Sequence, residues 1–225
     1  VAGLSQLAMQ RVVAARARQA FSHAQDLALR AELDPREMQQ LAAADALCSL
    51  SGHRRQQVWQ ASAWRVQSPL LRGSMPSEDY LDLPEASEGE AVRWDYAAMG
   101  LSLRSHPLKL LRPRLAKRGL KNSAQLKDWP SGRLAHSCGI VTVRQRPQTA
   151  KGTLFLSLED ECGSVQVIVW PTIYAQNRSM ILQARLLAVH GQWQAKDGVQ
   201  HLLARRFEDL SNLLGRLDVG SRDFK

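Results

Sequence analysis

The stretch that decides the fold is RQRPQTAKGTLFLSLEDECGSVQVIVW, residues 144–170. A cationic, proline-containing segment leads into an alternating apolar run, and an acidic turn with a glycine separates that run from a second one. Because successive side chains of a strand point to opposite faces, this pattern predicts a β-hairpin. Leu154, Leu156 and Leu158 share one face, which leaves Phe155 among polar residues on the other.

The alternating pattern continues on both sides of this hairpin. It predicts five strands and, between the third and the fourth, a helix that opens at Pro171. Five strands with a helix in that position are typical of an OB-fold, a small Greek-key barrel. An SH3-like barrel is the alternative, and the position of the helix favours the OB-fold. The predicted strands lie at residues 134–145, 152–160, 163–170, 185–194 and 199–208.

The hairpin carries the candidate binding residues. OB-folds bind oligonucleotides on the surface of strands two and three, where Phe155, Gln166 and Ile168 would face outward. A base that stacks on an exposed ring contributes roughly 1–3 kcal/mol, and an amide beside the ring can hydrogen-bond a base edge. The competing interpretation is that another part of the chain covers Phe155. Three cations near the loop between strands one and two would contact phosphates without reading sequence: Arg144, Arg146 and Lys151.

The first half of the chain predicts helices instead. Residues 5–50 are rich in Ala, Leu, Gln and Arg, and Asp34, Pro35 and Glu37 form the pattern of a capped helix start. The fold class is therefore α+β. We predict five segments: a helical domain at 1–65, an acidic Pro/Gly-rich linker at 66–93, a basic helical connector at 94–130, an OB-fold at 133–211 and a tail at 212–225.

The net charge of +9 is unevenly distributed. Residues 1–100 carry 10 basic and 12 acidic side chains, whereas residues 101–225 carry 20 and 9. Such asymmetry indicates a polyanionic partner, most often a nucleic acid, and a merely solvated basic face is the alternative. Residues 104–127 hold eight Lys/Arg and no acid, and four of them are candidate DNA contacts: Arg112, Arg114, Lys117 and Arg118.

Other features exclude some classes of protein. The three cysteines form no C-x-x-C pair, and the six histidines lack ligand spacing, so we expect neither a disulfide framework nor a metal site. No apolar run approaches the 18 or more residues typical of a transmembrane helix. The odd and sparse cysteines suit a reducing cytosol, so we expect a cytoplasmic protein. The chain starts at Val1 without a Met or a signal-peptide pattern, so we expect a fragment or a processed chain.

Two long motifs resemble a known family. DYAAMGLSLRSHPLKLLRP (residues 95–113) and GIVTVRQRPQTAKGTLFLSLEDECGSVQVIVWP (residues 139–171) resemble the C-terminal third of bacterial C-family replicative polymerases. The resemblance is closest to the error-prone, DnaE-like branch of the ImuC type. GHRRQQVW (residues 52–59) and the terminal SRDFK (residues 221–225) fit the same branch. The resemblance covers essentially the whole chain.

The resemblance implies roles for several residues. VAGLS is similar to the hairpin of a helix-hairpin-helix module, cut off before its first helix, with Gly3 at the turn and backbone N–H groups offered to a phosphate. Arg54 and Arg55 of GHRRQQVW would add phosphate contacts. The barrel resembles the anticodon-binding domain of some aminoacyl-tRNA synthetases, in which a Phe stacks a base and a Gln hydrogen-bonds it, as Phe155 and Gln166 would here. In the polymerases the barrel is expected to contact single-stranded template.

The resemblance also implies partners and an activity for the parent protein. Members of this branch are DNA-directed DNA polymerases of error-prone translesion synthesis, whose palm domain holds Mg²⁺. Because that palm lies upstream, we expect no catalytic residue, cofactor or polymerase activity in this fragment. The implied partners are single-stranded or primer-template DNA, an inactive ImuB-like polymerase homologue and, through it, the sliding clamp. A protein–protein module with little DNA affinity, and a synthetase-type RNA-binding barrel, are the alternatives.

Overall fold

A computed structural model describes residues 1–64, 83–196 and 198–215, together with the backbone of residues 222–224. The chain divides into two compact units, Val1–Leu103 and Arg104–Lys225. The division falls inside the segment predicted as one connector, residues 94–130. Its first helix belongs to the first unit because Asp95 pairs there with Arg54. The remainder of the connector belongs to the second unit.

The first unit is helical, as the composition predicted. Asp34 caps its third helix: the Asp34 side chain accepts from the N–H of Glu37, and the Glu37 carboxylate accepts from the N–H of Asp34. The predicted helix start is therefore confirmed. The helices of this unit are α1 (Gln6–Arg18), α2 (Ala24–Arg30), α3 (Pro35–Ala43), α4 (Cys48–Ser51), α5 (Arg54–Ala63) and α6 (Glu88–Met99).

Helix α6 corrects the predicted linker. Residues 88–93, expected in the linker at 66–93, are helical because Ser87 and Glu90 form a capping box that begins α6. Glutamates at 88 and 90 also favour a helix start, since negative charge is stabilised at a helix N-terminus. Residues 66–82 of the predicted linker lie outside the described residues.

The core of the first unit is built largely from small side chains. Ala8, Ala28, Ala31 and Ala42 are almost completely inaccessible to solvent, so their helices approach closely. Larger apolar groups fill the space between them, chiefly Leu27, Met38, Leu41 and Leu47. The alanine-rich composition therefore serves both helix propensity and packing.

The second unit contains a closed five-stranded barrel. The strands follow the order β2-β3-β5-β4-β1, and β1 also pairs with β2, which closes the ring. Helix α9 connects β3 to β4, so the predicted OB-fold is confirmed. Its elements are α7 (Pro107–Lys117), α8 (Ser123–Lys127), β1 (Leu134–Gln145), β2 (Leu154–Asp160), β3 (Gly163–Val169), α9 (Pro171–Gln183), β4 (Leu186–Lys196), β5 (Val199–Asp209) and β6 (Arg222–Phe224).

Side-chain alternation fills the barrel. The leucines of β2 and Val165, Val167 and Val169 of β3 are buried, as their spacing predicted. Ile181 from α9 and Trp193, Leu202 and Phe207 from β4 and β5 join them in one cluster. Phe155 is half-buried and does not belong to this cluster. The hypothesis that Phe155 lies outside the barrel core therefore agrees with the structure.

Strand β1 is shared between two neighbours. Residues 134–140 pair with β4 and residues 140–145 pair with β2, so the strand changes partner near Gly139. A Cβ atom at Gly139 would lie 2.8 Å from Leu158 Cβ and 2.9 Å from the Glu159 carbonyl oxygen. Only glycine allows β2 to cross β1 this closely.

Replacing Gly139 is therefore expected to destabilise the barrel. We predict that Gly139→Ala lowers the free energy of unfolding by about 1–3 kcal/mol, the usual cost of overpacking, as measured by urea denaturation. Ser164→Ala, on the exposed side of β3, is the control and should stay within about 0.5 kcal/mol of the parent chain. Equal stability of the two variants would contradict the close approach.

Two histidines face each other across the β1–β4 pair. His136 and His190 are direct cross-strand partners, and their Nδ1 atoms lie 2.8 Å apart, so one ring donates to the other. Burial lowers the pKa of His190, and the neighbouring His136 and Arg206 lower it further against the opposing effect of Glu208. The folded state therefore favours the neutral imidazole of His190.

This preference gives folding a defined pH dependence. A histidine in the unfolded chain takes up a proton near pH 6.5, whereas His190 in the folded barrel resists protonation. The contribution of His190 to stability is therefore complete above pH 6.5 and is lost as the pH falls below it. Partly buried His106, whose pKa burial also lowers, acts in the same direction.

We expect thermal denaturation between pH 5 and 8 to show a fall in stability on the acid side. His190→Asn, which removes the titrating ring, should flatten that fall and leave the part due to His106. Parallel pH profiles for the parent chain and the variant would contradict this account.

Candidate nucleic-acid interface

An apolar row crosses the outer face of the barrel. Phe155 on β2 is directly opposite Ile168 on β3, and Ile168 in turn lies beside Leu203 on β5. All three side chains are partly exposed, while their neighbours along each strand are buried. The row therefore results from strand alternation and stands on the surface where Phe155 and Ile168 were predicted. Leu203 was not predicted as part of this face. Its position between Leu202 and Ala204 on a predicted strand could have indicated that its side chain points outward.

Polar groups border this row. Gln166 is exposed and lies directly opposite Ser157, whose hydroxyl donates to Gln166 Oε1 at 3.0 Å. The amide nitrogen of Gln166 is thereby left to face solvent. Gln166 is thus diagonal to Phe155, within the reach of one base but not in direct cross-strand register with the ring. Ser157, which holds the amide, was not predicted.

Two of the three predicted loop cations border the same surface. Arg146 is exposed, donates from Nε to the Gly152 carbonyl at 3.2 Å and lies over the Tyr174 ring at 5.1 Å from its centroid. Lys151 is exposed at the end of the loop, where its φ of 48° turns the chain into β2. Both charges are accessible to a polyanion.

Arg144 requires a correction. It is only 6% exposed, and its guanidinium donates to the carbonyls of Ile181 and Ala184 at 2.8 and 2.5 Å. The reason is strand parity: Arg144 pairs with buried Leu156 and so points to the opposite side from Gln145 and Phe155. Arg144 holds the end of α9 against the barrel and is not available to a phosphate.

The arginines of the helical unit are also engaged. Arg54 is 5% exposed, forms an ion pair with Asp95 and donates to the Ala91 carbonyl at 3.1 Å. Arg55 donates to both carboxylate oxygens of Glu90 at 3.1 and 3.2 Å. The prediction that Arg54 contacts DNA is wrong because its charge is buried and neutralised. The charge of Arg55 is matched at the surface by Glu90.

Some of the basic side chains in residues 104–127 are already paired with acidic side chains. Arg112 forms a two-pronged ion pair with Glu161 at 2.5 and 2.8 Å. Although burial alone would raise the pKa of Glu161, the hydrogen bonds and charge of Arg112 outweigh it and lower that pKa. Arg112 therefore joins α7 to the turn between β2 and β3, and DNA contact by Arg112 stays a prediction.

Next to that ion pair, Asp160 fixes the following helix. It is buried and accepts from the backbone N–H and hydroxyl of Ser123 at 2.5 and 2.7 Å, at the start of α8. The acidic turn after β2 is thus an anchor for the basic segment. Arg118 pairs with Glu208 at 3.0 Å but remains about half exposed. Arg114 and Lys117 are exposed on α7.

Gly3 lies in an exposed turn before α1. Its φ is 77°, and a Cβ atom there would lie 2.8 Å from Gln40 Nε2, so the position favours glycine. Ser5 then caps α1 by accepting from the N–H of Ala8. This is the local geometry expected of a helix-hairpin-helix turn, although DNA contact by Gly3 stays a prediction.

Within the described ranges, no group of three or more His, Cys, Asp or Glu side chains is placed to hold a metal ion. The described helices include none long and apolar enough to cross a membrane.

Sequence comparison agrees with the two folds. Residues 1–57 match the helix-hairpin-helix motif family, and residues 138–210 match the OB-fold nucleic acid binding domain family. Together with the outer face described above, these matches define the class: a chain with a helix-hairpin-helix region and a nucleic-acid-binding OB-fold, which supports DNA binding.

The whole chain is similar to error-prone DNA polymerases. It is 51% identical over 229 residues to the enzyme of Ralstonia nicotianae, 48% identical over 230 residues to that of Bordetella parapertussis and 46% identical over 224 residues to that of Xanthomonas campestris. All of the chain is covered, but only 21–22% of each relative. The chain is thus similar over its whole length to error-prone DNA polymerases, and it spans about a fifth of their length.

A solved structure of asparaginyl-tRNA synthetase from Pyrococcus horikoshii resembles the chain more weakly. The likeness covers 36% of this chain and 20% of the synthetase, with a TM-score of 0.31 and 20% sequence identity. It adds nothing to the assignment.

Arg144, near the end of β1, and Arg146, just after it, should differ in how much their loss destabilises the fold. Arg144→Ala is expected to lower the free energy of unfolding by about 3 kcal/mol, because buried carbonyls lose charged donors. Arg146→Ala should cost less than about 1 kcal/mol, since the Arg146 side chain that lies over the Tyr174 ring is exposed to solvent. Chemical denaturation measures both, and a near-neutral effect of Arg144→Ala would contradict its structural role.

Proposed function

We propose that the OB-fold of this chain binds single-stranded DNA through the outer face of β2 and β3, as part of an error-prone translesion DNA polymerase. The observation that carries the proposal is the half-buried ring of Phe155 outside the barrel core, with Gln166 diagonal to it. An aromatic face accepts any base, so this contact suits a template of arbitrary sequence. The cellular location proposed for the protein is the cytoplasm, as the resemblance implies.

The cations give the proposal its electrostatic part. Arg146 and Lys151 border the ring and are exposed, whereas Arg144 and Arg112 are used inside the fold. Phosphate contacts of this kind position a strand without reading its sequence. Three exposed cations on or just after α7 are proposed as further phosphate contacts, although no contact among the described residues ties them to the Phe155 face: Arg114, Lys117 and Arg118.

The fragment itself is proposed to be inactive as a polymerase. The chain covers about a fifth of its relatives, and two acidic side chains at the end of β2, Asp160 and Glu161, are engaged by Ser123 and Arg112. The nucleotidyl transfer, with its Mg²⁺, is assigned to the palm of the parent protein. An ImuB-like partner and, through it, the sliding clamp are the protein partners proposed from the same resemblance.

Binding of labelled single-stranded DNA tests the proposal. Phe155→Ala should weaken binding roughly 5- to 100-fold, the loss of one stacked base, without changing the dependence of log affinity on log salt. Arg146→Ala should reduce the salt slope by about 0.7, the value for one phosphate contact on a single strand. Phe155→Leu, which keeps apolar bulk but removes the ring, should resemble Phe155→Ala.

Arg178→Ala, an exposed arginine on α9, is the matched control for charge and should leave the slope near that of the parent chain. Undetectable affinity of the parent chain at low salt would refute DNA binding and favour a protein–protein module of the translesion assembly. Preference for RNA over DNA of the same sequence in a competition assay would instead favour a synthetase-type barrel.

A further inference from the structure

Trp170 continues the outer face of β3 beyond the predicted site. Along β3 the side chains of Val165, Val167 and Val169 are buried, while Gln166, Ile168 and Trp170 alternate with them on the outside. The indole of Trp170 is 51% exposed. By alternation, Trp170 shares the face of Ile168, the direct partner of Phe155.

The backbone of Trp170 is held firmly. Trp170 is the N-cap residue of α9, and its carbonyl accepts from the N–H of Tyr174 at 2.9 Å. Pro171 at the first helical position fixes the next backbone angle. A side chain at this position, between β3 and α9, loses little conformational entropy when a ligand binds, because the backbone that carries it is already ordered.

Positive charge surrounds the same corner. A Cβ atom at Gly152 would lie 3.6 Å from Pro171 and 3.2 Å from Arg146 Nη2, so the loop between β1 and β2 packs against the start of α9. Arg146 bridges the two by stacking on Tyr174, and Lys151 precedes Gly152 in the loop. Trp170, the residue before Pro171, therefore lies at the same corner of the barrel as two accessible cations, and a ring and positive charge at one corner fit a nucleotide.

The spacing along β3 fits successive nucleotides. Two residues on a strand span about 6.6 Å, so Trp170 stands that far from the row of Phe155 and Ile168. This is about twice the 3.4 Å rise per nucleotide of a duplex strand. Bases held at such a distance are unstacked from each other, as expected when each lies on its own ring.

Resting on the proposed function, we infer that Trp170 is a second base-stacking residue. It receives the nucleotide next to the one on Phe155, and Arg146 and Lys151 contact the phosphate between or beside them. The OB-fold thus binds a strand that runs along β3, from Gln166 past Ile168 to Trp170. The ligand class is single-stranded DNA without base preference at the Trp170 position.

Oligonucleotides of increasing length, such as dT2 to dT8, test this inference with the full chain. Trp170→Ala should weaken binding of the longer oligonucleotides roughly 10-fold, as for one stacked base, and leave the salt slope unchanged. It should also remove the gain in affinity for one added nucleotide, so that the binding site becomes one nucleotide shorter. Trp170→Phe should restore part of the loss, and Trp170→Leu should not.

Trp59→Ala is the matched control, because Trp59 is 50% exposed in the helical unit and lies outside the proposed site. Quenching of tryptophan fluorescence by DNA should persist in Trp59→Phe and decrease in Trp170→Phe. If the parent chain binds DNA and Phe155→Ala weakens it, but Trp170→Ala behaves like Trp59→Ala, the inference about Trp170 is wrong and the proposed function stands. If the parent chain binds no DNA, the proposed function itself fails.

Discussion

Barrel closure depends on one strand that pairs with two neighbours. β1 hydrogen-bonds first to β4 and then to β2, and Gly139 sits where the partner changes, pressed against Leu158 and Glu159. A second glycine, Gly191 on β4, occupies a bulge where a side chain would collide with the Leu203 carbonyl. Closure removes the open edges of the sheet. Closure also determines which side chains of each strand point into the barrel and which point out of it. The proposed binding face consists of outward-pointing side chains of β2 and β3.

In the second unit, the position of each basic side chain decides whether its charge is accessible to a ligand, so the number of basic residues alone is a poor guide. Two arginines that were predicted to contact a polyanion are engaged within the fold: Arg144 on backbone carbonyls of α9 and Arg112 on Glu161. A guanidinium suits these positions because its fork of donors satisfies two acceptors at once. The cations left for a ligand are those on loops and the outer side of α7, such as Arg146 and Lys117. The surplus of positive charge therefore overstates the number of phosphate contacts.

Much of the barrel was predictable because its signals are local. Alternation in residues 154–170 identified the strands, the core leucines and valines, and the outward position of Phe155. The position of Arg144 was not predictable in the same way. The strand at residues 134–145 was predicted, but the role of Arg144 depends on the end of α9 lying against the inner side of β1. Strand β6 was also missed: it is three residues long and pairs in parallel with residues 143–145, too short for any period to show.

The outer face combines few strong contacts with sequence tolerance. One half-buried ring, one amide and two bordering cations provide stacking and charge but only one group capable of reading a base edge, and Ser157 limits even that amide to a donor. Under the proposed function such a surface would bind any strand at modest affinity, with each contact contributing at most a few kcal/mol. Under the proposed function this is the required property, because a template must be released and rebound after every nucleotide added. A surface with several base-specific hydrogen bonds would bind some sequences much more tightly than others, and synthesis would stall on those sequences. The small number of polar side chains on β2 and β3 that could recognise a base is therefore consistent with the proposed function.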